Sequence, residues 1–554
     1  MTTSSTPSVE PVGGSLRGAL GALERLYAIA RDRVRARVVQ GGVLDAGRMD
    51  AHQLGAHALA YLATELAACK QLARWAGETA VTGGTLETRI ATVYVADVVR
   101  SLRSGLDLGA TESYGPAEMF LTPADLEQTV GRFAVARWAD EESSGEAYVS
   151  LARNANDGRL GASGLGEDDT LAMMQAVFRK FANERVIPIA QDVHRRDVLI
   201  PMELVQAMAE MGVFGITIPE SYGGQGLGKV AMCVITEELS RGYIGVGSLG
   251  TRAEIAAELI LQGGTDAQKQ RWLPEIASGR VLPTAVFTEP DHGSDLAHLR
   301  TRASRLDGGR WRLDGNKTWI THAVRANLMT VLARTDAGKE DHNGLSMFLA
   351  EKAVGDDRGD FPDAGLSGTE IRVLGYRGMK EYELSFDGFS VSADGLLGGD
   401  AGLGRGFRYL MTTFESARIQ TAARAVGVAQ AALELALRYA RERVQFGKAL
   451  IEFPRVARKL GRMVAMIQAA RQLTLYAARM KDSDRRCDLE AGMAKLLATR
   501  AAWECADAGV QIHGGNGYAE EYAISRLLVD ARVLSIFEGA NEIQAHVIAR
   551  RLLE

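Results

Sequence analysis

The sequence predicts an α+β protein that is mostly α, and three observations carry that prediction. Apolar residues recur at helical spacing from residue 16 to about 138, again over 169–280, and once more from 404 to 554. From near residue 281 to 395 the pattern changes to short runs that alternate or stay apolar, as strands do. The chain has 554 residues, which at roughly 150 residues per domain makes about three or four domains. The order is therefore helical, helical, β, helical.

Residues 1–15 are rich in Ser, Thr, Pro and Gly and read as a disordered tail. A helical extension with its linker follows over 16–165. In it, 56–75 sets Leu59, Leu62, Leu66, Leu72 and Trp75 among alanines as one long helix. A second helix covers 86–102, with Gly83 and Gly84 between the two. The polar, Gly-rich stretch 141–168 reads as a linker. Ala/Leu helices of this kind need a buried face, so the extension is expected to pack against the rest of the protein.

A second helical domain spans 166–284. It holds an amphipathic segment at 172–191, a helix restarting at Pro201 and reaching Met211, and helices at 230–238 and 255–261, with PESYGGQGLG (219–228) as a loop. The β domain covers 285–398. There, 310–313 and 317–321 flank Asp314-Gly315, a hairpin signal, and 328–333, 346–350 and 382–386 read as further strands. Residues 399–554 are helical again.

Composition excludes several functions. Lys plus Arg is 64 and Asp plus Glu is 69, a net charge of −5, so no basic excess draws the chain to nucleic acid or an anionic membrane. No apolar run is long enough to span a bilayer, and no membrane insertion is expected. The four cysteines, Cys69, Cys233, Cys487 and Cys505, form no CxxC pair and suit a reducing compartment, so a cytoplasmic location is expected. The histidines lack HxxxH or HxH spacing, and no metal is expected. No GxGxxG follows a strand and opens a helix, because GLGRG (402–406) has no strand leading into it.

Three stretches can carry chemistry. TEPDHGSD (288–295) sets the hydroxyls of Thr288 and Ser294 beside a glycine, which suits either a ligand's carbonyl and phosphate oxygens or a capped turn. In WIT (319–321), Trp319 and Thr321 would wall a flat aromatic cofactor, unless Trp319 is an ordinary core tryptophan. QIHGGNGY (511–518) and FEGANEIQ (537–544) break a helical domain twice. The second places Glu538 just before Gly539 and a new helix, as a capping carboxylate or a catalytic one.

Together with PESYGGQGLG and RVQFGK (443–448), these motifs resemble those of the acyl-CoA dehydrogenase family, in the family's order and spacing, over about 170–554. The extension before about 165 and RGMKEYELSFDGF (377–389) narrow the likeness within that family. The resemblance implies a helical domain, a β-barrel-like middle domain and a C-terminal four-helix bundle, here with an extra N-terminal helical domain. It also implies an enzyme that oxidises the Cα–Cβ bond of an acyl-CoA, here a short branched dicarboxylic one. Glu538 would be the base that removes the α-proton while the β-hydrogen leaves as hydride to flavin N5. Burial would raise the basicity of Glu538. Ala417 stands where some relatives carry the base, and an alanine cannot serve.

The same resemblance places the cofactor FAD. Phe287 and Thr288 would lie at the pyrimidine side, Trp319 beside the ring, Thr321 toward N5, and Ser294 at a cofactor and CoA contact. Arg443, Gln445, Phe446, Gln511, Gly514 and Gly515 would reach the FAD of a neighbouring subunit, so a homodimer or homotetramer is expected. Asn541 and Glu542 would lie by the diphosphate. Phe414, Glu415, Arg418 and Gly539 would contact the substrate, and Arg252 would pair with its distal carboxylate, unless it pairs with Glu254 or sits at the surface. An electron-transfer flavoprotein would take the electrons; another short- or branched-chain acyl-CoA dehydrogenase, an oxidase using O₂ and a non-catalytic flavin-fold nucleic-acid binder are the alternatives. His292, His322, Ala540 and Pro454 depart from the family pattern. Glu381 occupies a position the family often gives a small or hydroxyl residue, and it either tunes the pocket or is a solvated surface acid.

Overall fold

The computed structural model describes residues 15–80, 83, 85–108, 112–166 and 168–554. Of the expected N-terminal tail only Ser15 lies within the described residues, and its Oγ accepts a hydrogen bond from the Gly18 amide (3.1 Å) to cap the first helix. The chain divides into two compact units.

The first unit takes the chain up to Gly164, then Leu437–Leu473 and Gln544–Glu554. Its N-terminal part comprises α1 (Leu16–Val38), α2 (Ala46–Ala51), α3 (Gln53–Ala80), α4 (Thr85–Leu102), α5 (Pro123–Gln128), α6 (Phe133–Glu142) and α7 (Gly145–Asn156). Two short strand pairs, β1 (Val39–Gln40) with β2 (Val43–Leu44) and β3 (Leu106–Asp107) with β4 (Ser113–Tyr114), link them. The expected long helices are α3 and α4, and Leu59, Leu62, Leu72 and Trp75 are buried together with Leu23 and Leu26 of α1. The expected linker is partly wrong. Its middle is α7, capped by Ser144 (3.4 Å to the Ala147 amide), and Tyr148 and Leu151 are buried. The Ser and Gly that suggested a flexible segment are a helix cap and its first residue. The α7 backbone packs so closely on Gly461 that a Cβ there would lie 1.9 Å from the Tyr148 carbonyl oxygen.

The second unit comprises 165–436 and 474–543. Its helices begin with α8 (Asp169–Phe181), α9 (Ile187–Arg196), α10 (Met202–Glu210), α11 (Lys229–Gly242), α12 (Ile244–Gly263) and α13 (Asp266–Ala277). A π-helical stretch, Ala182–Val186, joins α8 to α9. The helix expected at 255–261 extends back to Ile244, so the small residues 245–251 are helical and buried. They permit close packing: a Cβ on Gly247 would lie 1.9 Å from Ser240 Oγ.

Next comes a seven-stranded sheet of β5 (Pro283–Val286), β6 (Arg302–Arg305), β7 (Trp311–Thr321), β8 (Leu328–Arg334), β9 (Leu345–Glu351), β10 (Leu366–Ile371) and β11 (Glu381–Val391). The order is β10-β11-β7-β6-β8-β5, with β9 also on β8; β5 and β6 run parallel to β8, and the other pairs are antiparallel. Leu313, Ile320, Met329, Val331, Phe348, Leu384 and Phe386 fill its core. The hairpin expected at Asp314-Gly315 is absent. β7 runs straight through, with Asp314 opposite Asp387 and Gly315 opposite Phe386. Gly315 is there because a Cβ would come within 2.8 Å of the Thr301 Cα, a close approach and not a turn.

Two interactions fix the segment after β5 against β7. The Thr318 amide donates to the Thr288 carbonyl (2.9 Å). The fully buried Lys317 ammonium donates to the Phe287 carbonyl (2.8 Å) and to Glu289 (3.0 Å), which also accepts from the amides of Arg300 (2.7 Å) and Thr301 (2.8 Å).

The remaining helices are α14 (Gly406–Glu442), α15 (Pro454–Asp482), α16 (Asp488–His513), α17 (Ala523–Leu534) and α18 (Asn541–Leu553), and the small pair β12 (Val444–Gln445) and β13 (Lys448–Ala449) belongs to the first unit. Gly263 lies against Tyr409 and Gly250 against Gln420, so α12 and α14 run antiparallel. The Asp482 carboxylate caps α11 by accepting from the Lys229 (2.6 Å) and Val230 (3.1 Å) amides.

A Gly315→Val substitution is expected to destabilise the protein by about 1–3 kcal/mol through overpacking against Thr301, added to the strain of a β-branched residue at φ 142°, read as a lowered denaturation midpoint; an unchanged midpoint contradicts the close approach.

Candidate active site

The site is built around Glu538, on the loop between α17 and α18. Glu538 (φ 53°) and Gly539 (φ 92°) are both left-handed. A left-handed glutamate is held against its backbone preference, as strained residues at functional sites often are. The Asn541 amide closes the loop on the Ser535 carbonyl (3.1 Å), and the fully buried Lys495 of α16 donates to the Gly539 carbonyl (2.6 Å). Burial pushes the Lys495 ammonium down to about 7, against the pull of Glu538.

The loop carries the Glu538 carboxylate into a set of cationic and hydroxyl groups. Arg252 of α12 donates to Oε1 at 3.0 Å, Arg424 of α14 reaches the same oxygen at 2.7 Å, and Thr421 Oγ1 donates to Oε2. Arg424 also donates to Ser248 Oγ (2.9 Å) and Thr421 Oγ1 (2.6 Å), and its guanidinium lies 4.9 Å from the centre of the Phe537 ring. Ser248 shares a hydrogen bond with the Tyr376 hydroxyl, and the Tyr376 amide donates to the buried Asp530 carboxylate (2.7 Å). Arg252 and Arg424 are buried, yet both Nε atoms and Thr251 Oγ1 lack partners. These are donors a bound molecule can use.

Two expectations change here. Glu538 is no helix cap, because its oxygens face the arginines and not backbone amides. Nor does burial leave it more basic. Burial does push its carboxyl up, but Arg424, Arg252 and the Thr421 hydrogen bond outweigh that and hold it below the ordinary carboxylate range. Arg252 is neither at the surface nor paired with Glu254, which instead takes Lys229 and the Thr217 hydroxyl.

A second group lies at the paired ends of β7 and β11, where Thr321 stands opposite Glu381. Thr321 Oγ1 donates to Glu381 Oε2 (3.0 Å), and Glu381 is 6% exposed. It is thus a buried acid and not a solvated one, and burial pushes it up to about 7 against Thr321 and Arg252. The adjacent His322 is buried with neither ring nitrogen bonded, and burial pushes it down to about 3. Trp319 is 56% exposed with φ 58°, so it is no core tryptophan. The Thr318–Thr288 backbone bond places TEPDHGSD beside WIT, so the exposed indole can wall an aromatic cofactor and the Thr288 hydroxyl can donate to it, while Thr321 already donates to Glu381. These residues fit a flavin. The buried Phe287 ring meets Phe414 edge-on at 6.4 Å, and Ser294 is exposed.

The other expected residues are dispersed. Arg418 is buried, its guanidinium 5.8 Å from the centre of the Phe414 ring, and Glu415 accepts from Lys481 (2.9 Å). Asn541 accepts from Thr499 (3.3 Å), and Glu542 is exposed. Gln511, Gly514 and Gly515 are exposed at the end of α16. Arg443, Gln445 and Phe446 sit on the β12–β13 hairpin of the first unit, all exposed. Sequence reasoning missed Thr421, Arg424, Tyr376 and Lys495. The one available signal was Arg424 itself, a lone charge in the small and apolar run AARAVGVA (422–429).

About 14 Å from this cluster, nine residues along both α12 (Arg252 to Leu261) and α14 (Thr421 to Thr412) at 1.5 Å per residue, lies a cavity of about 610 Å³. Lys229, Glu258, Arg405, Arg408, Lys481 and Asp484 are among its lining residues. Among the described residues no group of three or more metal-ligating side chains is present, and no helix is long and apolar enough to cross a membrane.

The buried Glu381 makes stability pH-dependent. Its folded value lies above its unfolded one, so its contribution is greatest below the unfolded value and falls as pH rises toward 7. Glu381→Gln removes that loss, and its stability relative to the parent is expected to rise by roughly 2–3 kcal/mol between pH 5 and pH 8, read from thermal midpoints at both.

Comparison with known proteins agrees with this geometry. The acyl-CoA dehydrogenase N-terminal, middle and C-terminal domain models match residues 168–280, 284–389 and 404–553. A (2S)-methylsuccinyl-CoA dehydrogenase of Cereibacter sphaeroides is 56% identical over 540 residues, 97% of each chain. The butyryl-CoA dehydrogenase structure from Megasphaera elsdenii superposes with a TM-score of 0.66 at 31% identity, covering 70% of this chain and 100% of that one. A glutaryl-CoA dehydrogenase in complex with glutaryl-CoA gives 0.64 at 33% identity, covering 68% and 94%. With its three domains matched in order and its buried acid on the loop before the last helix, the chain belongs to the acyl-CoA dehydrogenase family.

Proposed function

We propose that this acyl-CoA dehydrogenase uses FAD to oxidise a short branched dicarboxylic thioester, (2S)-methylsuccinyl-CoA, to mesaconyl-CoA and passes the electrons to an electron-transfer flavoprotein. The observation that carries this reading is the convergence of Arg252 and Arg424 on Glu538 inside the protein. Guanidiniums beside the proposed base can take a substrate carboxylate through charge-assisted hydrogen bonds. The 56% identity to a methylsuccinyl-CoA dehydrogenase along nearly the whole chain supports the same substrate.

Each residue then has a task. Glu538 accepts the α-proton on a carboxylate oxygen. Arg252 and Arg424, with the free Thr251 hydroxyl, hold the distal carboxylate. Tyr376 and Ser248 orient Arg424 through their shared hydrogen bond. The Glu538 amide is the family's donor to the thioester oxygen, where charge develops. The cavity along α12 and α14, with Arg405 and Arg408 in its lining, would take the phosphate-bearing end of coenzyme A. Thr288, Trp319 and Thr321 would hold the flavin, which when bound supplies the hydride acceptor.

Glu538→Gln is expected to lower kcat by about 10³-fold or more while the purified protein keeps its flavin absorbance; unimpaired turnover refutes the assignment. Arg252→Met is expected to reduce kcat/KM for (2S)-methylsuccinyl-CoA by about 100-fold, with far less loss on an uncharged branched acyl-CoA. Equal loss on both discards the dicarboxylic reading.

A further inference from the structure

The charges of the central ion cluster do not balance. Two guanidiniums share one carboxylate oxygen, and among the described residues neither contacts a second carboxylate. Arg424 has only hydroxyls besides Glu538. Lys495 lies behind the loop on the Gly539 carbonyl, and burial pushes its ammonium down to about 7, so the surplus rests on the two guanidiniums. Glu381, the other acid that acts electrostatically on Arg252, makes no ion pair with it; it accepts from Thr321 at the end of β7, and burial pushes it up to about 7. A buried site with surplus positive charge and three unpartnered donors is one negative group short. Meanwhile both oxygens of the proposed base are engaged, Oε1 by two arginines and Oε2 by Thr421. A carboxylate held in this way is a poor base, since two guanidiniums and a hydroxyl already stabilise its charge.

These two facts answer each other. We infer that Arg252 and Arg424 mask Glu538 in the free enzyme, and that the substrate's own distal carboxylate unmasks it by taking over their hydrogen bonds. This rests on the dicarboxylic reading above. The exchange replaces one carboxylate by another on the same two guanidiniums and also engages their idle Nε–H donors, so a buried charge is gained without leaving a cation unpaired. The freed Glu538 oxygen then takes the proton. The α C–H bond breaks, its electron pair becomes the α,β double bond, and the β-hydrogen leaves with its own pair for the flavin. The depressed carboxyl of Glu538 in the free protein agrees with this arrangement. The consequence is selectivity at the chemical step: a thioester without the distal charge binds but meets a masked base.

The test compares anaerobic single turnovers of the flavin-loaded full chain with saturating (2S)-methylsuccinyl-CoA and with its terminal amide, which has the same shape and no charge. Binding of the amide is followed separately by its perturbation of the flavin spectrum. The limiting rate with the amide is expected to be at least about 100-fold lower. Arg252→Gln is expected to raise the amide's limiting rate about 10-fold while lowering that of the dicarboxylic substrate. Arg424→Lys is the second variant, and it should raise the amide's rate in the same direction. Equal limiting rates, with the two thioesters differing only in KM, overturn the inference and leave the substrate reading standing. No gain for the amide in either variant overturns it as well. Turnover of uncharged thioesters with none of (2S)-methylsuccinyl-CoA overturns both.

Discussion

The buried contact between the Glu538 carboxylate and the guanidiniums of Arg252 and Arg424 is the constraint on which the site depends. It joins three parts of the chain far apart in sequence: α12, α14 and the loop before α18. Removing either kind of charge would leave the other buried and unpaired, which costs more than a surface ion pair ever contributes. The surrounding hydroxyls, Thr421, Ser248 and Tyr376, give the guanidiniums fixed directions. Asp530 anchors the Tyr376 backbone, and Lys495 anchors the Gly539 carbonyl. The network therefore specifies a geometry more than it adds stability.

The sheet supplies the opposite wall. Its contribution depends on a buried lysine, Lys317, which draws the Phe287 carbonyl and the Glu289 carboxylate onto β7. Those bonds hold the segment after β5 in register with the Trp319–Thr321 end of β7. Several non-glycine residues with left-handed backbone gather around this region and the base: Trp319, His322, Tyr376, Lys380 and Glu538. Such conformations persist only where the surroundings over-determine them.

Much of this was legible in the sequence. Helical periodicity located α3, α4 and α11, and the change to short apolar runs located the sheet, because both patterns report which face is buried. Family resemblance singled out Glu538 and the stretches TEPDHGSD and WIT, whose roles as base and flavin site are proposals. Asp314-Gly315 misled because a glycine chosen for a close approach to Thr301 is spelled like a turn glycine. The stretch around α7 misled because its polar residues are a cap and an outer face. Arg424, Thr421 and Lys495 were hidden for a different reason: their roles come from which helices meet, and one-dimensional spacing does not encode that. The depressed basicity of Glu538 was hidden likewise, since burial alone predicts the opposite sign and only the partner charges reverse it.

The contact between Gly461 and the Tyr148 carbonyl bears on how this enzyme can be recombined with its shorter relatives. No side chain fits at position 461 of α15 beneath the Tyr148 carbonyl, so the N-terminal extension is matched to that point of the helix at backbone distance. A chimera that borrows α15 from a protein without such an extension would need a glycine at the same place. The natural seam for domain exchange is thus not where the extension ends in sequence; the extension and residues 437–473 travel as one module.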